Sequence, residues 1–330
     1  MAVGEPTRRS NACTGWSNGA DSESAQTADA DPPGRGPRQP SGSLGAQGGT
    51  AEDVLPPRRS VIATTGTVRI LEVRSLGFAT DLMIRRLAGS AIDDRGPYLV
   101  VRTPANPTFY WGNFTLFSDS VPADEWLGIF SRELPGARHV AIGVDGTDGA
   151  LHDVSTLLES GFELEVSIVL TREGPPAGAP HPGTLCRPLD TDDDWTQLGD
   201  LRIELGKDDG RDNEGYRAFL ARRVREARAL DGAGHAAHFG AFVDGHLRSS
   251  LGLVTDGGGT ARYQNVETHP EFRRRGLAGA LVAMAGRHGV TEFDASTLVL
   301  VADPHGPAIN LYRSLGFRDA EHQVQLTLRG

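Results

Sequence analysis

The strongest chemical signal in the sequence is a run of arginine and glycine at residues 273–279, RRRGLAG. The preceding segment, Arg262–Thr268, predicts a strand, and Leu277, Leu281 and Met284 recur at the spacing of one helix face. The first N–H groups of a helix lack intrahelical acceptors, and glycine lets an anion approach the backbone closely. With arginines beside that helix start, the loop predicts a diphosphate site. A structural turn with solvated arginines is the alternative.

The end of the chain carries a second pattern, a helix that closes on Leu311-Tyr312 and then Gly316-Phe317 before an alternating strand. A related pattern occurs once before, where LLES precedes Gly161-Phe162 and another alternating strand. Two segments with the same order of helix end, Gly-Phe and alternating strand indicate a tandem duplication. Chance similarity of two helix–strand junctions is the alternative.

Both motifs resemble the GNAT (GCN5-related) N-acetyltransferase superfamily. Arg273-x-x-Gly276-x-Ala278 is similar to its Gln/Arg-x-x-Gly-x-Gly/Ala signature, and the Leu-Tyr-x-x-x-Gly-Phe helix end is similar to its second hallmark. The resemblance covers residues 184–330. It implies acetyl-CoA as co-substrate and no metal, with the diphosphate on the arginine loop. The pantetheine would lie between two splayed parallel strands, Arg262–Thr268 and Thr297–Ala302.

The resemblance also implies roles for individual residues. Tyr312 would protonate the leaving thiolate; a core aromatic is the alternative. Glu267 would take the amine proton, directly or through water; an ordinary exposed strand glutamate is the alternative. The expected acetyl-CoA contacts are Val266, Thr268, Arg273, Arg274, Arg275, Gly276, Leu277, Ala278, Gly279 and Asn310. Asn310 is equally consistent with a solvent-facing position.

The first half predicts a similar fold without the chemistry. Its patterns predict strand 68–74, helix 77–90, strands 98–102 and 109–117, helix 123–134, strand 138–143, helix 151–160 and strand 162–171. At the position matching the arginine loop stands Ser118-Asp119-Ser120-Val121, with no glycine and with a carboxylate that repels a diphosphate. We therefore expect a degenerate repeat that binds no CoA and forms a wall of the substrate cleft or a partner surface.

Composition sets the domain plan. Residues 1–60 hold nine Gly and seven Pro and predict a disordered tail. Seven of the ten residues at 174–183 are Pro or Gly, which predicts a linker between domains at 61–173 and 184–330. The expected fold class is α/β (α+β), with two GNAT-like domains, each a mixed, mostly antiparallel sheet flanked by helices, with splayed parallel central strands.

Charge and cysteine content exclude other classes. A net charge of −10 disfavours nucleic-acid binding, and no apolar run is long enough for a membrane span. Two distant cysteines make neither a disulfide framework nor a zinc cluster, which favours a cytoplasmic protein.

The sequence therefore predicts an N-acetyltransferase, monomeric or homodimeric, that moves an acetyl group to a small-molecule or peptide amine by direct attack in a ternary complex. A non-catalytic acyl-CoA sensor or scaffold is the alternative. Retention of Tyr312 favours the enzyme.

Overall fold

The structure of the chain, a computed structural model, describes residues 72–178, 182–208 and 213–329. The predicted tail of residues 1–60 lies outside the described residues, as does the first part of the predicted strand 68–74. Residues 72–75 run as irregular chain into the first helix, so the described end of that predicted strand is not a strand.

From its first helix onward the N-terminal half follows the predicted order of elements, with one additional strand, Ala91–Asp94, that was not predicted. Its elements are α1 (Leu76–Leu87), β1 (Ala91–Asp94), β2 (Tyr98–Arg102), β3 (Phe114–Phe117), α2 (Ala123–Glu133), β4 (His139–Val144), α3 (Ser155–Glu159) and β5 (Glu163–Glu173). The hydroxyl of Ser75 caps α1 by accepting a hydrogen bond from the N–H of Phe78. Two predicted elements are shorter than expected. The strand over 109–117 begins only at Phe114, and the helix over 151–160 contains only α3.

The C-terminal half contains the expected strands at 262–268 and 297–302 and the expected helix after the arginine loop. Its elements are β6 (Leu185–Pro188), α4 (Asp192–Asp208), α5 (Glu214–Gly232), β7 (Ala236–Val243), β8 (His246–Thr255), β9 (Thr260–Thr268), α6 (Leu277–Thr291), β10 (Thr297–Ala302), α7 (Ile309–Ser314) and β11 (Arg318–Arg329). A capping box opens α4, where the Asp194 N–H donates to Thr191 Oγ1 at 3.2 Å and the Thr191 N–H donates to Asp194 Oδ2 at 3.0 Å. Asp244 and Gly245 turn β7 into β8 with φ of 51° and 77°, as a tight hairpin requires.

The eleven strands of the described residues form one sheet, in the order β1-β2-β3-β4-β11-β5-β10-β9-β8-β7-β6. Among these strands two neighbouring pairs are parallel, β3 with β4 and β9 with β10, and the others are antiparallel. The expected mixed, mostly antiparallel sheet is therefore confirmed.

The two halves exchange their last strands, which the sequence patterns did not predict. β5 leaves the N-terminal half and pairs with β10, from Glu173 opposite Thr297 to Ile168 opposite Ala302. β11 leaves the C-terminal half and pairs with β4, while β5 and β11 also pair with each other. Each half therefore completes the sheet of the other.

Helices cover both faces of this sheet. On one face, called the α1 face here, Phe78 of α1 and Phe219 of α5 pack with Leu116 of β3 in one buried cluster. On the opposite face, Leu281 of α6 packs with Tyr312 of α7 in a second cluster. A ligand that enters between two strands can therefore reach both layers.

Candidate functional site

The central feature of the C-terminal half is the separation of β9 from β10. These parallel strands pair only at Thr260–Arg262 against Thr297–Val299 and then diverge. The opening is a cleft with an empty volume of about 430 Å³, part of which is open to solvent. Its lining comprises Arg262, Tyr263, Gln264, Asn265, Val266, Leu300, Val301, Ala302, Asp303, Gly306, Ala308 and Tyr312. The two strands named from the sequence are therefore splayed.

A β-bulge shapes the β9 wall of the cleft. Ser250 of β8 lies opposite Glu267, but Gly252 lies opposite Gln264, so β9 carries an extra residue between them. Asn265 takes up the distortion with a left-handed φ of 49°. A bulge takes its extra residue out of the ladder. Backbone groups beside Val266 are thereby placed to meet a ligand in the cleft.

The arginine loop lies between the end of β9 and the start of α6. Gly276 stands at the N-cap of α6 with φ of 77°, a conformation that glycine adopts without strain, and its side-chain-free cap leaves the helix start uncovered. Arg274, also left-handed, is exposed, while Arg273 Nε donates to Thr268 O at 3.2 Å. The guanidinium of Arg275 lies 4.6 Å from the centre of the Phe272 ring. The loop therefore joins a helix N-terminus to positive charge.

The corresponding place in the N-terminal half is closed. β3 and β4 stay paired to their last residues, Phe117 opposite Val144, and the Asp145 N–H then donates to Phe117 O at 2.7 Å. α2 begins after Pro122 with acidic residues in its first turn. The carboxylate of Asp119 lies 3.1 Å from Arg74. Neither a splayed pair nor an arginine loop occurs in this described part of the N-terminal half.

Comparison with known proteins agrees with this geometry. Residues 258–326 match a family model described as FR47-like protein. A functionally unknown conserved protein from Staphylococcus epidermidis ATCC 12228 superposes with a TM-score of 0.60 at 13% identity, covering 74% of this chain and 95% of that chain. A GCN5-related N-acetyltransferase from Kribbella flavida superposes with a TM-score of 0.52 at 14% identity, covering 77% of this chain and 95% of that chain. The chain has the fold of the GCN5-related N-acetyltransferases. No curated protein matches the sequence.

Within this GNAT fold, Tyr312 lies at the cleft. Its side chain is 2% exposed and belongs to the cleft lining, and its ring meets Phe317 edge-on at 6.5 Å between centroids. The predicted contact Val266 also lines the cleft, whereas Asn310 is exposed on α7 and is not part of the lining. Thr268 is turned towards β8, where its hydroxyl lies 2.8 Å from Ser249 Oγ.

Glu267 is not the exposed strand glutamate that the sequence analysis gave as the alternative, because its side chain is largely buried. Arg202 Nε donates to Glu267 Oε2 at 3.0 Å, and the two side chains are only 6% and 13% exposed. Sequence reasoning missed Arg202, although it follows Leu198 by four residues on the buried face of α4. The ion pair ties the Glu267 carboxylate of β9 to α4.

A second buried ion pair ties the cleft to the N-terminal half. Arg262 is the last β9 residue paired with β10, and its guanidinium lies 3.3 Å from Asp81 of α1 and donates to Thr80 Oγ1 at 2.8 Å. Gln323 Nε2 of β11 donates to Asp81 Oδ2 at 2.7 Å. The apex of the splayed pair is therefore fixed by α1 and β11 together.

His269 is accounted for as a structural loop residue. It is 6% exposed, its Nδ1 accepts from the Glu271 N–H at 3.3 Å, and its Nε2 lies 3.3 Å from Glu204. Because both ring nitrogens have partners, the His269 side chain fixes the loop that precedes the arginines.

Among the described residues, no helix is long and apolar enough to cross a membrane.

Proposed function

We propose that the chain is an N-acetyltransferase that moves an acetyl group from acetyl-CoA to an amine in the cleft between β9 and β10. One observation carries the proposal: the only splayed strand pair of the described chain opens beside a helix N-terminus that carries three arginines. A helix start of this kind favours a phosphate. Residues 184–330 would hold the active half, and 61–173 a half that binds no CoA.

The residues of the cleft fit the parts of acetyl-CoA. The loop of Arg273–Gly279 would hold the diphosphate, and the open edges of β9 and β10 would pair with the pantetheine. Backbone N–H groups beside Val266 would polarise the thioester carbonyl. Tyr312 of α7 would give its hydroxyl proton to the leaving thiolate.

The attack would be direct, without an acyl-enzyme. Among the described residues the one free cysteine is Cys186, on the edge strand β6, three strands away from β9. Burial raises the pKa of its thiol, so less of the nucleophilic thiolate is present. The amine and acetyl-CoA would therefore occupy the cleft together.

The decisive experiment measures binding and transfer separately. Calorimetry should detect acetyl-CoA binding, and a library of amines screened for thiol release should reveal an acceptor. Changing Arg274 and Arg275 to Glu should abolish binding. The matched control changes Arg86 and Arg132 to Glu, since both are exposed and lie outside the loop. Equal affinity in the two double variants would refute the anion site.

A further inference from the structure

The exchanged strand β5 pairs with β10, one wall of the cleft, and continues past the end of β10. Their pairing stops at Ile168 opposite Ala302, and β5 continues from there to Glu163. The chain that follows Ala302 lines the cleft with Asp303. At about 3.3 Å per residue, the Glu165 backbone lies ~10 Å beyond Ile168. Ser167 Oγ donates to Glu165 Oε1 at 3.2 Å, which holds the carboxylate on the side of Glu165 that faces Ile168 and the end of β10.

The environment of Glu165 offers it no positive charge. Its cross-strand partner on β11 is Gln325, and the partner of Ser167 is Gln323, both uncharged. The charged groups that act on Glu165 are Asp303 and Glu163, both acidic. Within the described ranges, no lysine, arginine or histidine forms an ion pair with Glu165, whereas Glu163 lies 3.6 Å from Arg329.

Glu165 lies on the α1 face of the sheet, opposite the face that carries Tyr312. Cross-strand partners share one face of a sheet, and Gln323 donates to Asp81 of α1. Ser167 and, two residues away, Glu165 therefore project to the α1 face. Tyr312 packs on the opposite face. An amine and the leaving thiolate would thus meet different side chains across the opening.

We propose that Glu165, contributed by the N-terminal half, is the general base for an acceptor that arrives as an ammonium cation. The inference rests on the proposed function. The carboxylate takes one proton from the ammonium, and the neutral nitrogen attacks the thioester carbon. A C–N bond forms, the C–S bond breaks, and the sulfur leaves with the electron pair and takes the Tyr312 proton. The amide nitrogen then loses its second proton, which restores the Tyr312 phenol, and Glu165 releases the proton it took to solvent. The products are the amide, the CoA thiol and one proton.

The ionisation of Glu165 agrees with this role. Burial raises the pKa of its carboxyl, and the charges of Asp303 and Glu163 raise it further, towards the range in which a general base works at neutral pH. A carboxyl whose pKa is raised on folding lowers stability as pH rises through that pKa. Glu165→Gln should therefore be at least as stable as the parent at pH 8.

The test uses the full chain and the best amine from the screen. In Glu165→Gln, kcat/KM should fall at least 100-fold, and the acid limb of its pH profile should disappear. Acetyl-CoA affinity and Tm should be retained. Glu173→Gln is the matched control, because Glu173 lies at the other end of the same strand and is exposed; it should behave like the parent. Glu267→Gln should keep the acid limb.

Each outcome of these measurements either supports or overturns the role of Glu165. Loss of the acid limb in Glu165→Gln with normal acetyl-CoA binding supports the proposal. A parental pH profile in Glu165→Gln, or loss of the limb in Glu267→Gln instead, overturns it and leaves the proposed function standing. A parent chain that binds no acetyl-CoA and acetylates no amine overturns the proposed function, and this inference with it.

Discussion

The buried ion pair between Asp81 and Arg262 makes a quantitative prediction about stability. Both side chains are 1% exposed, and they join α1 of the N-terminal half to the apex of the cleft. Asp81→Asn leaves the Arg262 guanidinium buried opposite a neutral amide. Burial already lowers the pKa of Arg262, and Asp81 opposes that shift, so the carboxylate is the group that keeps the charge in place.

Removing one member of a buried pair costs about 3–5 kcal/mol of unfolding free energy, because the other charge stays uncompensated. Domains are stable by only ~5–15 kcal/mol, so the loss is a large part of the total. Replacing both members with apolar residues of similar volume is often neutral. Asp81→Leu with Arg262→Met should therefore recover most of the stability that Asp81→Asn loses.

Equilibrium unfolding in urea measures both variants, and an unchanged m-value keeps the comparison valid. Because Arg262 also lines the cleft, calorimetry with acetyl-CoA shows whether the double replacement leaves the site intact. A cost below ~1 kcal/mol for Asp81→Asn would refute the reasoning, since an exposed pair is worth that little. A double variant as unstable as the single one would show that the hydrogen bonds to α1, not the charges, dominate.

Three further predictions follow from the same geometry. Tyr312→Phe should lower kcat by ~10²–10⁴-fold in single-turnover measurements with little change in acetyl-CoA affinity; normal turnover with a lower Tm would make it a core aromatic. Calorimetry should give one acetyl-CoA per chain, because β3 and β4 remain paired where β9 and β10 separate; a value of two would contradict this. The Arg187 guanidinium beside Asp194 holds the pKa of that carboxyl well below 3.8. The stability that the charged Asp194 carboxylate contributes is present above pH 3.8 and is lost as pH falls through its lower pKa in the folded chain. Asp194→Asn should therefore destabilise the chain by about 1 kcal/mol at neutral pH and progressively less in acid.

Local patterns predicted the elements well because their causes are local. The strand pattern over 98–102 predicted β2 to both of its ends, and the strand Thr297–Ala302 that the resemblance implied agrees with β10. The strand expected over 109–117 was wrong at its beginning, because side-chain hydrogen bonds there compete with the extended backbone. The side-chain amide of Asn113 donates to Asn106 O at 3.0 Å and to Phe109 O at 2.9 Å, which folds the aromatic residues into a turn.

The functional geometry was less predictable because it depends on pairing between distant segments. Arg202 and Glu267 are far apart in sequence, and no spacing rule links α4 to β9. The exchange of β5 and β11 is equally hidden, since both follow a Gly-Phe turn and both alternate as strands do. Either could have paired with β10 on local grounds. Only the complete sheet decides between them.

That exchange explains what an N-terminal half without an acetyl-CoA loop contributes. Its strand β5 covers the outer edge of β10, which would otherwise expose unpaired backbone groups beside the cleft. Its helix α1 supplies Asp81 to the arginine at the apex of the splayed strands. β11 is in turn held between β4 and β5, so in this structure the N-terminal half completes the sheet next to β10. Both halves therefore support the cleft, although among the described residues only the C-terminal half lines it and carries the arginine loop.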